Sequence, residues 1–215
     1  MRRPFLFVPL IMLLALQPGA VAADSGPIRS EALATVAQRV ASQKVVRAAF
    51  TQERHARAFT SPLISAGRIV IAPETGLLWL LEDPFAVSIA LTPERVIERE
   101  EGMAPRVTPI ATQQVFRALM GLFLDLPSGR TGALAATFAA EVDSGVAGMN
   151  DWRLRLVPQD ALLAKAIADI EVIGGRFIGT VVVNEISGDY TVVRFTNHMV
   201  DAEGLSVQET QAFLE

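Results

Sequence analysis

The sequence predicts an α+β fold that is mainly antiparallel β-sheet. Three observations carry this. Segments with period-two alternation recur between residues 46 and 195, most of them separated by Pro, Gly, Asn, Asp or Ser turn signals. One helix-period segment precedes them. One very apolar helix interrupts them.

The first helix is expected from Ser30, a residue able to cap it, to about Val46. Leu33, Val36, Ala37, Val40 and Ala41 follow helical spacing, with Glu31, Gln38 and Arg39 off the stripe. Alternation then sets in. Val46, Ala48, Phe50 and Gln52 share one face, and Arg47, Ala49, Thr51 and Glu53 the other. Ser65 to Ala72 and Leu77 to Leu81 form a hairpin around Pro73-Glu74-Thr75-Gly76. Asp83-Pro84 ends the second of these strands. Phe85 to Leu91, Arg95 to Arg99 and Arg106 to Thr108 continue the pattern. Gln113 to Leu124 is a helix whose only internal charge is Arg117, so it is deeply buried or covers an apolar cavity. Pro127-Ser128-Gly129 ends it. Ala133 to Ala140 reads either as a helix or as a strand opening at Phe138. Further strands are expected at Trp152 to Val157, Ile167 to Ile173, Phe177 to Asn184 and Asp189 to Phe195. A helical turn lies at Asp160 to Lys165 and a tail helix at Ser206 to Phe213.

The N-terminus has its own logic. Met1-Arg2-Arg3 precedes an apolar run from Phe5 to Leu16 and then Ala20-Val21-Ala22-Ala23. A basic start, about 12 apolar residues and small residues at a cleavage site make a secretory signal peptide over residues 1–22. The run is too short to span a bilayer of about 30 Å as a helix. Arg2-Arg3-Pro4-Phe5-Leu6 resembles a twin-arginine export signal, but the strong apolar run at the very start favours the general secretory route. Residues 23–215 are then one exported domain, large enough for a sizeable core. Without Arg2 and Arg3, the 19 cations fall to 17 against 23 acids, a net charge of −6. Such a domain has no electrostatic reason to bind nucleic acid or an anionic membrane surface.

Catalytic signatures are missing. The absence of cysteine excludes disulfides, a thiol nucleophile, a Cys-based metal site and lipid attachment at a cysteine. No G-x-S-x-G, Walker loop, G-x-G-x-x-G or H-E-x-x-H is present. His55 and His198 read as surface or strand-end residues, Glu98-Arg99-Glu100-Glu101 as a solvated turn, and Trp152 as a sheet anchor. A non-enzymatic protein without metal or cofactor is expected. Apolar residues make up 51% of the chain, which either fill a large core or line a cavity for an apolar ligand.

Several short patterns occur in order. Phe50-Thr51-Gln52 is followed by Ser65-Ala66-Gly67, then Gly76-Leu77-Leu78-Trp79 and Pro84. Later come Trp152-x-Leu154-x-Leu156-x-Pro158, then Ser187-Gly188-Asp189-Tyr190-Thr191 and Arg194-Phe195-x-Asn197. Together these resemble LolA, the periplasmic outer-membrane lipoprotein carrier family, and the wider LolA-like group. The resemblance implies a strongly curved, incomplete antiparallel β-barrel with helices as a lid over an apolar concave face. It implies an acylated lipoprotein or lipid cargo, an inner-membrane donor transporter and an outer-membrane acceptor. A monomer is expected. Physically, one sixteen-carbon chain exposed to water costs roughly 12 kcal/mol, so a lipid crossing water needs an apolar container. The chain departs from the pattern once. The Arg-Pro pair that helps fasten the LolA lid falls here at Pro73 and Glu74.

The expected cavity has two walls. Strand alternation assigns Phe50, Ile69, Ile71, Trp79, Leu81, Ile89 and Leu91 to the sheet side. Phe116, Leu119, Met120 and Phe123 come from the lid helix. Alternation sorts these residues by face without saying which face is concave. The alternative is a LolA-like interaction or sensor module of the cell envelope, with a filled core and no lipid cargo.

Overall fold

The computed structural model describes residues 28–40, 44–143 and 152–214. The predicted leader, residues 1–22, lies outside the described residues. The helix α1 (Ile28–Val40) leads into β1 (Val45–His55). The expected helix end near Val46 falls within β1, and Ser30 lies inside the helix rather than at its cap. Val45 and Val46 belong to the sheet, opposite Asp201 and Val200. Two β-branched residues in sequence favour the strand, where their side chains pack without loss of rotamer freedom.

The sheet continues through β2 (Leu63–Ala72), β3 (Gly76–Asp83), β4 (Val87–Leu91), β5 (Arg95–Glu100) and β6 (Arg106–Pro109). It resumes with β7 (Phe138–Asp143), β8 (Trp152–Pro158), β9 (Ile167–Gly174), β10 (Ile178–Glu185) and β11 (Tyr190–Asp201). The spatial order is β6-β5-β4-β3-β2-β1-β11-β10-β9-β8-β7, antiparallel throughout. β1 and β11 therefore close the middle, while β6 and β7 are edges that do not pair with one another. The result is an incomplete barrel.

This order dictates the lid. Consecutive strands β6 and β7 lie at opposite edges, so residues 110–137 must cross from one edge to the other. They do so as a turn at Ile110–Thr112, helix α2 (Gln114–Met120), a π-helical turn at Gly121–Asp125 and helix α3 (Gly132–Thr137). The predicted single helix thus changes geometry at Gly121. The Leu126 amide donates to the Gly121 carbonyl at 2.9 Å, five residues back. A Cβ at Gly121 would lie 3.2 Å from Leu134 Cδ1, so the missing side chain lets α3 approach. The ambiguous segment near residue 133 is both things in turn: helix to Thr137, strand from Phe138.

Two cores result, one on each face. The larger joins Leu33, Val36 and Val40 of α1, the lid's Phe116, Leu122, Phe123 and Leu126, and one face of the sheet. The smaller lies on the opposite face. There Val70, Leu78, Ala90 and Ile97 are covered by Phe213, at the end of the tail helix α4 (Val207–Ala212). Ser206 caps α4 in a reciprocal box with Glu209. Arg47 fastens it, donating to Glu209 at 2.6 and 2.7 Å, to Asp201 at 2.8 Å and to the Gly204 carbonyl at 2.9 Å. The Arg47 hydrogen bond holds the Glu209 carboxyl at about 2, well below its ordinary range.

Candidate functional site

The seven sheet residues singled out by alternation face one side. Phe50, Ile69, Leu81, Ile89 and Leu91 are buried in the larger core, and Ile71 and Trp79 pack against it. Their alternates Val70, Leu78 and Ala90 face the tail helix instead. The four lid residues meet them: Phe116 and Phe123 are buried in that core, and Leu119 and Met120 lie against it. The covered face is thus the one toward the lid.

Aromatic rings join the two walls. Phe50 and Trp79 lie 4.4 Å apart between centroids, and Trp79 meets Phe195 edge-on at 6.1 Å. Phe123 of the lid reaches down to Phe195 at 5.4 Å, again edge-on. Phe195 was not among the expected wall residues. Its place was legible, since Thr191, Val193 and Phe195 alternate inward along β11.

These side chains pack against one another across the covered face. An apolar cleft of about 40 Å³ remains at one rim, between Phe123, Ile69, Ile71, Phe195 and the hairpin residue Phe177. That is room for roughly one water or a methyl group, far below the volume of a drug-sized ligand. A larger groove of about 480 Å³ runs along the other side of the lid, bounded by Met120, Leu124, Leu134, Phe138 and the turns at Pro73–Gly76 and Pro93. Pro73 borders both openings.

His198 also lines the smaller cleft. His198 is half-buried there, with Nε2 3.0 Å from the Ile178 carbonyl, so that nitrogen carries the proton. Its ring stacks on Phe177 at 4.9 Å. Burial pushes its pKa below the ordinary histidine value, and the backbone contact opposes this. His198 is therefore not the strand-end surface residue that the sequence suggested. The cause is a bulge: Arg47 pairs with Met199 and Ala49 with Thr196, so Asn197 and His198 both stand opposite Ala48. Asn197 adopts φ 55°. The other histidine does sit at a strand end, stacked on Tyr190 at 4.3 Å. Trp152 is a buried anchor whose Nε1 donates to the Gly175 carbonyl at 2.8 Å. Among the described residues no group of three or more His, Cys, Asp or Glu could hold a metal ion.

The family described as outer membrane lipoprotein carrier protein LolA-like matches residues 25–194. The chain belongs to this LolA-like family. Solved structures with a similar fold include a DUF1329 family protein from Desulfovibrio piger, with 10% identity and a TM-score of 0.50, covering 86% of this chain and 95% of that one. A LolA superfamily protein from Nitrosomonas europaea has 8% identity and a TM-score of 0.48, over 85% and 97%. The MucA/MucB complex of Pseudomonas aeruginosa aligns with 16% identity and a TM-score of 0.47, over 85% and 60%. No curated protein matches the chain significantly. In this LolA-like chain the turn before Trp79 carries no arginine, and the lid rests on the sheet through apolar packing around Phe123 and Phe116.

Proposed function

We propose that this protein is a periplasmic, non-enzymatic carrier. It binds the acyl chains of lipoproteins or a related acylated lipid beneath its lid and moves them between the inner and outer membranes. A donor transporter in the inner membrane and an acceptor at the outer membrane are its partners, and it works as a monomer. The observation that carries this reading is the crossing lid. Residues 110–137 span the apolar face from edge to edge, and Phe123 and Phe116 pack on that face. Lifting such a lid exposes Phe50, Ile69, Trp79, Leu81, Ile89 and Leu91 together, a continuous surface for an acyl chain. Membership of the LolA-like family supports the same reading.

The small volume of the cleft beside Phe123, about 40 Å³, favours a second reading, an envelope interaction module with no lipid cargo. Native mass spectrometry of the mature protein from a periplasmic extract separates the two. A co-purifying acyl lipid, or uptake of a fluorescent fatty acid by the apo protein, is the carrier outcome. A clean apo mass with no uptake refutes it. Trp79→Ala and Phe116→Asp test the wall. Each should weaken lipid binding more than it lowers the melting temperature. Unchanged binding per folded molecule would make the residue ordinary core.

A further inference from the structure

Turns between strands run over the surface and favour small polar residues. One rim of this sheet departs from that. Five turns lie there: 101–105 between β5 and β6, 84–86 between β3 and β4, 56–62 between β1 and β2, 186–189 between β10 and β11, and 159–166 between β8 and β9. Each leaves one large apolar side chain in solvent. In the same order these are Met103, Phe85, Phe59, Ile186 and Leu162, between 37% and 67% exposed. Ile64 and Tyr190, at strand ends beside two of these turns, are exposed as well. The three described turns of the opposite rim, 73–75, 92–94 and 175–177, carry no such residue.

Any one of these side chains alone would need no explanation. Their distribution does. The five hairpins follow one another in the sheet, so a tip recurs at every second strand, about 10 Å apart along the rim. The lid ends at this rim too: the Gln159 amide, in the β8–β9 turn, donates to the carbonyl of Thr137, the last residue of α3, at 2.8 Å.

Shape and charge select the occupant. A protein partner is held by anchors packed side by side in a contiguous, desolvated patch. Tips about 10 Å apart on separate turns do not make one. A bilayer interface asks for no matching shape, and each tip enters it on its own. The five turns hold Arg57 and Lys165 against Glu101, Asp160 and Asp189, close to neutral and without the basic cluster that anionic lipid attracts. We propose that this rim docks on a zwitterionic lipid surface, with Phe59, Phe85, Met103, Leu162 and Ile186 dipping between head groups and acyl chains. Docking of this kind sets the end of the lid against the bilayer, and it holds whether or not an acyl chain is carried.

The test floats the mature protein with phosphatidylcholine vesicles. The wild type should rise with them, and added salt should change this little, because the attraction is apolar. Burying the exposed half of one such side chain is worth roughly fivefold in partition. Phe59→Ser with Ile186→Ser should therefore weaken binding about 25-fold if the two tips act independently. Met103→Ser, on a third turn, should cost about fivefold by itself. Val207→Ser, more exposed than any of the five but on the tail helix, should leave binding unchanged. Fatty-acid uptake and the melting temperature should be the same in all these proteins, which separates docking from cargo binding and from folding. Three results overturn the proposal. A wild type that does not float leaves a protein as the occupant of the rim. An equal loss in Val207→Ser makes the attraction unspecific. Binding to anionic vesicles alone, abolished by salt, makes it electrostatic.

Discussion

Phe123→Ala is the sharpest probe of the lid. Phe123 is 2% exposed and is the lid's aromatic contact with Phe195. Truncating a buried Phe costs about 3–5 kcal/mol. The lower end applies here, because the void joins a cleft of about 40 Å³ that already opens at the rim. If the lid is a separate opening unit, about 3 kcal/mol falls on the closed–open equilibrium and raises the open population roughly 100-fold. Amide hydrogen exchange reads this directly. The Leu126 amide, bonded to Gly121, reports the lid, and the Phe50 amide in β1 reports the sheet. The expected result is about a hundredfold loss of protection at Leu126 with a much smaller change at Phe50, together with faster uptake of a fluorescent fatty acid. Equal losses at both amides would refute the reasoning. Phe123 would then be part of one cooperative core, and the lid would open only when the whole molecule unfolds.

Three other outcomes follow from the same geometry. Glu209→Gln removes the anchor of the tail helix. Because the folded-state pKa is depressed, to about 2, the stabilisation is complete above the ordinary carboxylate range and fades as pH falls toward 2. The wild-type advantage should be about 1–2 kcal/mol at pH 7 after solvent screening and near zero at pH 2, measured by urea denaturation across that window; a gap that does not change with pH refutes the assignment. Gly67→Ala places a Cβ 2.0 Å from the Leu80 carbonyl oxygen, at the irregularity between Ala66 and Gly67. It should cost at least ~2 kcal/mol, and an unchanged thermal midpoint would mean that the hairpin shifts freely. Thr191 is fully buried and its Oγ1 has no hydrogen-bond partner among the described residues. Thr191→Val should therefore raise the melting temperature, by the equivalent of about 1 kcal/mol, and a fall would reveal a partner for that hydroxyl.

The lid's composition and its position have separate origins. The apolar helix near residue 116 announces itself, because only burial or a cavity can hold Val115, Phe116, Leu119, Met120, Leu122 and Phe123 in water. Its place does not. That comes from strand order, which puts β6 and β7 at opposite edges and forces the connection across the face. The change to a π-helical turn at Gly121 is likewise a packing outcome, set by the approach of α3. Phe116 and Phe123 of this segment are buried against the sheet face, an apolar contact that strand order brought about.

The sequence by itself determined the strands, their alternation and which apolar residues share one face of the sheet. Phe50, Ile69, Trp79, Leu81, Ile89 and Leu91 share a face because side chains on a strand point to opposite sides with period two, a local property. Tertiary structure decided the rest. Placing Val45 and Val46 in the sheet rather than the helix depended on strand partners about 155 residues away, and the choice of covered face depended on where the lid and tail helix landed. His198 was beyond local reasoning altogether. Its direction depends on one extra residue opposite Ala48, and a bulge is a property of two paired strands.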